Sequence, residues 1–377
     1  NYTLKYGDFR LLVEPSLGAD WNDNIYLSKT NTMDDFIVKP AVGVTASYPF
    51  SQRNLLYVSV TGGYDRYLKH PSLSTFDLNS STGTGLSLDV GIKDVTLNLH
   101  DWIRYVQDAS QNPNVANTAD YGTFNNTAGL SATWDLNQVS LSAGYDHQNV
   151  LSTSGQFNNV NHSSDMFFAR AGFQVHPQIN LGLESTATFT RYDQTGASNN
   201  ALNDNDAYTV GPYMTFQYSK SLSLTARGGY TTYQFQQTSS SIQTSDQNSW
   251  YAGLTLSHQP RESISYAIDA GREAALGTES DLTEDWYVRP GITWNFIRDW
   301  SFNTSFSYQH GRQGVGNISG NLNETYDWYG AGLSLRHALT SRLSVALNYR
   351  LTVRSSDNAN DSYTQNLVGL QLTYHPQ

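Results

Sequence analysis

The sequence predicts an all-β protein: a single transmembrane antiparallel up-and-down β-barrel of about 18 strands, with short periplasmic turns and longer extracellular loops. Three observations predict this fold class. Apolar residues alternate with polar ones along most of the chain, short connections alternate with long ones, and aromatic residues lie near the ends of the predicted strands. Because no helical segment can cover the apolar faces, lipid is the environment that fits them best.

The alternation is clearest in two segments that lie far apart in the chain, residues 139–146 and 343–354. Neighbouring side chains of a strand point to opposite faces, so each segment has one apolar and one polar face. In a barrel that spans a bilayer, the apolar face contacts acyl chains and the polar face lines a water-filled lumen.

The composition is unusual for a soluble globular domain, with 38% hydrophobic and 15% charged residues. Disorder is a poor alternative because aromatic residues reach 13%, including 25 Tyr and 8 Trp. No run approaches the roughly 20 consecutive apolar residues of a membrane helix. The mean hydropathy of −0.49 is compatible with a barrel because its lumen residues are polar.

The charge and cysteine content exclude several classes of partner and site. The net charge is −11, from 22 Lys and Arg against 33 Asp and Glu, which argues against nucleic acid as a partner. The chain has no Cys, so disulfides and thiolate metal sites are excluded. Its nine His lack the spacing of a metal motif, and we predict neither a metal nor a cofactor.

We assign residues 1–377 to one outer-membrane barrel domain. The predicted strands span 9–21, 35–49, 54–68, 80–92, 95–108, 122–135, 138–150, 164–176, 179–193, 207–219, 221–235, 249–258, 262–274, 284–296, 299–311, 325–338, 341–354 and 363–375. The longer connections are 22–34, 69–79, 109–121, 151–163, 194–206, 236–248, 275–283, 312–324 and 355–362.

The even strand count and the connection lengths predict where the termini lie and how open the lumen is. An even number of strands places both termini in the periplasm. No predicted loop exceeds about a dozen residues, so we expect no long loop folded into the lumen. A barrel of this size is wide enough for an aqueous channel.

Two features depart from the strand pattern. Pro15, Pro40, Pro212 and Pro290 fall inside predicted strands, where a ladder donor is lost, and we predict β-bulges there. Asp101 lies on the apolar face of its strand, which indicates a bulge, an interface or an incorrect strand assignment.

The aromatic residues predict two interfacial belts. Those that flank long loops are Trp21, Tyr64, Tyr67, Tyr145, Tyr192, Tyr230, Trp250, Trp286, Tyr308, Tyr326 and Tyr363. Those that flank short turns are Tyr48, Trp134, Tyr218, Trp294, Phe296, Trp300 and Tyr374. Cross-strand pairs in a soluble sandwich would explain the enrichment but not this placement.

The polar faces supply the candidate pore-lining residues. They carry charges of both signs, typical of a channel wall without steep ion selectivity. These residues are Glu14, Lys39, Asp65, Asp89, Arg104, Arg170, Glu184, Arg227, Asp269, Glu273, Arg289, Arg336 and Arg350. For any one of them, a solvated side chain that pairs across strands is the simpler interpretation. The same faces carry aromatic residues that could stack on sugar rings: Tyr57, Trp102, Phe168, Tyr213, Tyr251, Tyr287 and Trp328.

Other chemistry has little support. His100 is the one candidate for a Ser/His or Asp/His catalytic site, and no catalytic residue is predicted. The acidic clusters Asn203-Asp204-Asn205-Asp206 and Asp34-Asp35 could offer oxygen ligands to Ca²⁺. They lack the spacing of a defined Ca²⁺ loop, so we expect them to be solvated loop tips.

The N-terminal region carries recognisable motifs. They are Val13-Glu14-Pro15-Ser16-Leu17, Trp21-Asn22-Asp23-Asn24-Ile25-Tyr26, Asp34-Asp35-Phe36-Ile37-Val38-Lys39-Pro40-Ala41-Val42, Leu55-Tyr57-Val58 and Gly63-Tyr64. In these motifs the chain resembles the type-2 β-barrel porin family of Gram-negative outer membranes. The resemblance covers about the first 70 residues, and it implies a link with exopolysaccharide export, which some family members have.

The leading hypothesis is an outer-membrane pore that passively conducts small hydrophilic solutes or an exported polysaccharide. The alternative is a structural or docking barrel with a blocked lumen and partner-binding loops. The expected partners are outer-membrane lipid and, for export, periplasmic export components. The sequence leaves the oligomeric state open.

Overall fold

A computed structural model describes residues 2–78, 85–193, 201–239, 242–319, 323–358 and 360–376. Its strands are β1 (Leu4–Tyr6), β2 (Phe9–Asn22), β3 (Asp35–Ser51), β4 (Asn54–Tyr67), β5 (Thr75–Leu78), β6 (Gly85–Ile92), β7 (Val95–Val106), β8 (Thr123–Asp135), β9 (Val139–Ser152), β10 (His162–His176), β11 (Ile179–Tyr192), β12 (Asn205–Ser219), β13 (Leu222–Phe235), β14 (Gln243–Thr244), β15 (Gln247–Arg261), β16 (Ile264–Leu276), β17 (Leu282–Ile297), β18 (Trp300–Gln313), β19 (Asn317–Ser319), β20 (Glu324–Ala338), β21 (Leu343–Ser356) and β22 (Tyr363–Tyr374).

The helical content of the described residues is small. Three short 3-10 helices lie in loops, at Pro71–Leu73, Ala109–Gln111 and Gly155–Val160. None of the described helices is long and apolar enough to cross a membrane.

The sheet closes on itself. β2 pairs antiparallel with β3 on one side and with β22 on the other. β5 and β6 together occupy one position, because each pairs with both β4 and β7. With β1, β14 and β19 outside the ring, the barrel has 18 strands, and the predicted fold class is confirmed.

The predicted strands agree with the observed ones to within a few residues, except for the fourth. The sequence did not predict β1, β5, β14 or β19. Residues 80–84 of the predicted fourth strand lie outside the described residues, as do residues 79, 194–200, 240–241, 320–322 and 359 of the predicted loops.

Side-chain exposure follows the predicted alternation. On β21, Leu347 is 52% exposed, whereas Thr352 and Arg354 on the other face are 1% and 2% exposed. The ladder partner of Leu347 on β22 is Leu370, which is likewise exposed. The guanidinium of Arg354 instead contacts a loop inside the ring. The apolar faces therefore form the outer surface of the barrel and the polar faces the lumen.

Three of the short turns contain a residue with left-handed backbone. Lys93 (φ 55°), Asn137 (φ 67°) and Asp299 (φ 67°) each lie in a turn at the end with the short connections. Asn and Asp adopt this conformation more readily than most residues do, and it matches the twist of the flanking strands. These turns fix the register of the hairpins.

The bulges predicted at the prolines are wrong. Around Pro40, Pro212 and Pro290 the ladder omits two residue pairs and then resumes in the same register. Pro15 keeps its partner Val42 within an unbroken ladder. Since proline lacks only the N–H donor, losing its ladder bond does not require an inserted residue.

Asp101 lies in an intact register, which excludes a bulge at this position. Its carboxylate accepts a hydrogen bond from the Asn126 side chain on the next strand. Asp101 is therefore a polar residue of the outer face that is paired within the wall.

The interfacial belts are observed in part. Tyr145, Tyr230, Trp250, Trp286 and Tyr308 lie on the outward face near the long loops, as Trp134 and Tyr218 do near the short turns. The belt assignments of Tyr67, Tyr192, Tyr326 and Tyr363 are wrong, because these side chains lie on the lumen face. Tyr192, Tyr326 and Tyr363 are only 5%, 1% and 3% exposed, and Tyr67 lines a lumen cavity.

The long loops pack against one another over the mouth of the barrel. One buried cluster joins Leu27, Val115, Tyr121, Phe157 and Tyr363 from widely separated parts of the chain. A second cluster joins Tyr192, Leu202 and Ile242, and a third contains Tyr233, Phe235 and Leu282. These clusters hold the described loop residues against one another at this end.

Candidate functional site

The loop of residues 107–122, between β7 and β8, folds across the lumen. From the opposite side of the barrel, the Arg350 guanidinium lies 2.6 Å from the Asp108 carboxylate, and Arg354 Nε donates to the Pro113 carbonyl at 2.8 Å. The Tyr326 hydroxyl donates to Asn114 Oδ1 at 2.6 Å. The expectation that no long loop enters the lumen is wrong, and we call this segment the crossing loop.

Local chemistry explains the path of the crossing loop. Asp108 caps the 3-10 helix Ala109–Gln111 by accepting from the Ser110 N–H at 3.1 Å. Burial disfavours the charge of Asp108, but the Arg350 guanidinium and the Ser110 hydroxyl outweigh burial and hold its pKa below the usual range. Ala109, Val115 and Tyr121 bury their side chains in the loop cluster at the mouth.

Three cations of the strands that receive the crossing loop are held in ion pairs, namely Lys39, Arg350 and Arg354. Lys39 Nζ lies 3.3 Å from carboxylate oxygens of both Asp20 and Asp65. The Arg354 side chain, 1% exposed, lies 2.7 Å from Glu324. We call this side of the lumen, formed by β2–β4 and β20–β22, the anchoring wall. A cavity of about 580 Å³ is lined by residues of both this wall and the crossing loop.

The opposite side of the lumen, formed by β10–β13 and β15–β17, presents exposed arginines. Arg170 on β10 stacks on Tyr213, with Cζ 3.6 Å from the ring centroid, and Arg289 on β17 stacks on Tyr287 at 4.3 Å. Arg227 on β13 lines the same cavity as Tyr287. In the described part of the chain, none of the three arginines makes an ion pair with a carboxylate. We call this side the guanidinium wall.

The carboxylates of the guanidinium wall are less exposed than its arginines. Glu184 accepts a hydrogen bond from the Tyr251 hydroxyl at 3.1 Å, and Asp269 accepts from the Thr255 hydroxyl at 3.0 Å. Glu184, Asp269 and Glu273 are half-buried, whereas Arg170 and Arg227 are exposed to the lumen. The charge that this wall offers to solutes is therefore mainly positive.

The remaining predicted pore residues lie apart from these two groups. Arg104 borders the two cavities on either side of the crossing loop. Glu14 pairs with His375 at 2.7 Å, and Asp89 accepts from the Asn98 amide at 2.7 Å. Arg336 lines a separate cavity beside the short turns. That the predicted set lines a conducting pore remains a prediction.

Two aromatic residues of the lumen are packed flat against the wall. A Cβ at Gly182 would overlap the ring of Tyr213, and one at Gly271 would crowd that of Tyr287. The arginines cover the other face of both rings. These two rings therefore support guanidinium groups and are not available to stack on sugars.

Asp35 and Asn203, which were expected at solvated loop tips, are buried, whereas Asp34, Asp204 and Asp206 are partly exposed. Asp35 is fully buried and accepts backbone N–H groups of Leu68, Lys69 and His70. Asn203, also fully buried, donates to Asp281 at 2.7 Å. Burial raises the pKa of Asp281, which lies among the loops. In the described residues, no group of three or more His, Asp or Glu is arranged to hold a metal ion.

His100 lies beside an amide and a carboxylate of the wall. Its Nδ1 lies 2.8 Å from Asn98 Oδ1, and its Nε2 lies 3.1 Å from Asp146 Oδ1. Both ring nitrogens are therefore close to polar groups of neighbouring wall residues.

Comparisons with solved structures identify the same fold. They include OccK2 (OpdF) of Pseudomonas aeruginosa in complex with glucuronate, with 10% identity, full coverage of both chains and a TM-score of 0.53. OpdQ of P. aeruginosa has 10% identity, covers 99% of this chain and 100% of its own, and has a TM-score of 0.50. OccAB3 of Acinetobacter baumannii has 8% identity, coverage of 97% and 99%, and a TM-score of 0.50. No curated protein matches the sequence.

The family comparison covers nearly the whole chain. The family described as "Putative beta-barrel porin 2" matches residues 3–375. Its description is that of a porin, in agreement with the prediction of a protein that is not an enzyme. The chain belongs to this family, and it is a β-barrel porin of the Gram-negative outer membrane.

Proposed function

We propose that this porin is a passive channel for small hydrophilic solutes and that it prefers anions to cations. The observation that carries the proposal is the guanidinium wall, where three arginines face the lumen with no ion-paired carboxylate among the described residues. Fixed positive charge along a narrow aqueous path raises the local concentration of anions. The net charge of −11 does not oppose this preference, because selectivity depends on the charges in the lumen.

The crossing loop favours small cargo over a polymer. It is held to the anchoring wall by Arg350, Arg354 and Tyr326, so a polysaccharide would have to displace these contacts or pass beside them. Polysaccharide export with periplasmic export components remains the alternative for cargo. Neighbouring genes for glycosyltransferases and a polysaccharide co-polymerase would favour it.

One observation favours a second function, a structural or docking barrel with a blocked lumen. The extracellular loops bury Leu27, Leu202 and Ile242 to 2% exposure or less, as expected of a closed cap. Single-channel recording of the refolded chain in planar bilayers distinguishes the two. Steady open currents support the channel, and their absence after verified folding supports the blocked barrel.

A further inference from the structure

The wall of the barrel has an unpaired seam near its outer end. The ladder between β15 and β16 stops at the pair Ala252 and Arg272. Beyond it, residues 247–251 of β15 pair only with β13, and residues 273–276 of β16 pair only with β17. In comparison, the ladders of β8–β9, β10–β11 and β12–β13 continue to their outer ends. We call these two facing segments the β15–β16 seam.

Side chains take the place of the missing ladder bonds in the seam. Arg272 Nη1 donates to the Trp250 carbonyl and, at 3.0 Å, to Ser249 Oγ. The Tyr233 hydroxyl reaches across from β13 and donates to the Ala274 carbonyl at 2.8 Å. Backbone groups in a bilayer need a partner. Here those partners are side chains and not the backbone of a neighbouring strand.

On the outer side of the seam, Arg272 packs against the rings of Trp250 and Trp286. Arg272 lies on the outward face of β16 but is only 8% exposed, with its Cζ 4.4 Å from the Trp250 ring and 6.0 Å from the Trp286 ring. The two Trp rings are 5.4 Å apart, and both side chains are exposed on the barrel surface. Arg272 is held there by Glu284 at 2.7 Å.

The inner side of the seam opens on a cavity of about 340 Å³. Its lining includes Ser249, Arg272 and Ala274 of the seam region and Arg170 and Arg227 of the guanidinium wall. The same cavity is therefore lined by exposed arginines of the lumen and by the β15–β16 seam, where the ladder pairs are missing. Trp rings at the membrane surface lie on the other side of that wall.

We propose that the β15–β16 seam is a lateral binding site for an anionic amphiphile. Its head would lie in the cavity beside Arg170 and Arg227, and its acyl chain would displace the contact between Trp250 and Trp286 and extend into the outer leaflet. The anionic head would pair with the two arginines. The acyl chain would leave water and contact apolar and aromatic side chains. This proposal is independent of conduction, so a barrel without channel currents could still bind the amphiphile.

Cross-linking can test the seam, because the chain has no native Cys. In Asn248→Cys with Ala274→Cys, the thiols lie on the outward face on opposite sides of the seam, and a bifunctional thiol reagent would clamp it. The matched control is Leu254→Cys with Ala270→Cys, a ladder pair of the same two strands. The reference for each clamped variant is the same variant measured before the reagent is added.

The probe is radiolabelled laurate, measured by equilibrium binding to the refolded full chain in a neutral detergent. We expect saturable binding that weakens at least about tenfold when the seam is clamped and does not change with the control clamp. Dodecyltrimethylammonium, a cation with the same chain length, should not compete. Arg170→Gln with Arg227→Gln, which leaves the seam intact, should also weaken laurate binding.

Two sources could supply this chemistry, a free amphiphile or a leaflet lipid with phosphate heads. Lipid A is therefore run as a competitor: competition assigns the site to a leaflet lipid, and its absence assigns the site to a free amphiphile. Absence of saturable laurate binding, laurate binding unaffected by the seam clamp, or equal competition by the cationic amphiphile would each overturn the proposal.

Discussion

The two sides of the lumen use positive charge differently. On the anchoring wall, Lys39 is held between Asp20 and Asp65, and Arg354 is buried against Glu324. On the guanidinium wall, Arg170 and Arg289 rest on tyrosine rings and face the lumen without an ion pair in the described chain. An ion pair cancels charge toward solutes and fixes geometry, whereas a stacked guanidinium keeps its charge available. We infer that one wall positions the crossing loop and the other acts on solutes.

The largest expected effect is on the stability of the anchoring wall. Arg354→Met leaves the carboxylate of Glu324, 13% exposed, without its cation at 2.7 Å. Removing one partner of a buried ion pair typically costs about 3 kcal/mol of unfolding free energy, which chemical denaturation in lipid vesicles can measure. Arg298→Met is the control, since its side chain is 94% exposed and should contribute nothing measurable. Equal effects of the two substitutions would contradict the anchoring role.

The second-largest expected effect is on the ion selectivity that we assign to the guanidinium wall. Replacing Arg170, Arg227 and Arg289 together with Gln should lower the ratio of anion to cation permeability by about tenfold, because the fixed charge along the path is removed. The reversal potential in a salt gradient measures this ratio. Arg312→Gln also removes an exposed cation, but from the outward face of β18, so it should leave the ratio unchanged. A ratio that survives the triple substitution would place the selectivity elsewhere.

A smaller effect is expected from shortening the crossing loop. Replacing residues 110–120 with a short Gly-Ser linker removes the contacts of Pro113 and Asn114 with the anchoring wall. Single-channel conductance should then rise about twofold, because a constriction in series limits the current. The linker leaves Asp108 and the strands in place, and heat-induced unfolding provides the folding control. Unchanged conductance would mean that current passes beside the loop.

The smallest effect is a response to acid. The pKa of Asp108 is held below its ordinary value of 3.8, so its contribution to loop anchoring is present above pH 3.8 and is lost as the pH falls further. Conductance should therefore stay constant down to that value and rise below it. Asp108→Asn should show the raised conductance at neutral pH and no further rise in acid. Asp299→Asn, an exposed turn residue, is the control.

The barrel could be predicted from the sequence because the information is local. Alternation over ten or more residues, as in β21, fixes which side chains share a face, and the turn residues Asn137 and Asp299 fix hairpin ends. The alternation of side chains along each strand also predicted that Lys39 and Asp65 share the lumen face, where their ion pair is observed.

Features that depend on distant contacts could not be predicted. The path of the crossing loop rests on bonds such as that between Asn114 and Tyr326, which are 212 residues apart. The misplaced tyrosines have a related cause: near strand ends, neighbouring positions look alike in sequence. Only the packing of loops above Tyr192 and Tyr363 shows that these residues face inward. The seam was missed because the sequences of β15 and β16 alternate normally through it.

The most direct test of the account is the reversal potential of the unmodified refolded chain across a KCl gradient in a planar bilayer. We predict stable currents and a reversal potential of the sign that indicates preference for chloride, because Arg170, Arg227 and Arg289 face the lumen. A verified barrel that carries no current, or one that prefers potassium, would contradict this account.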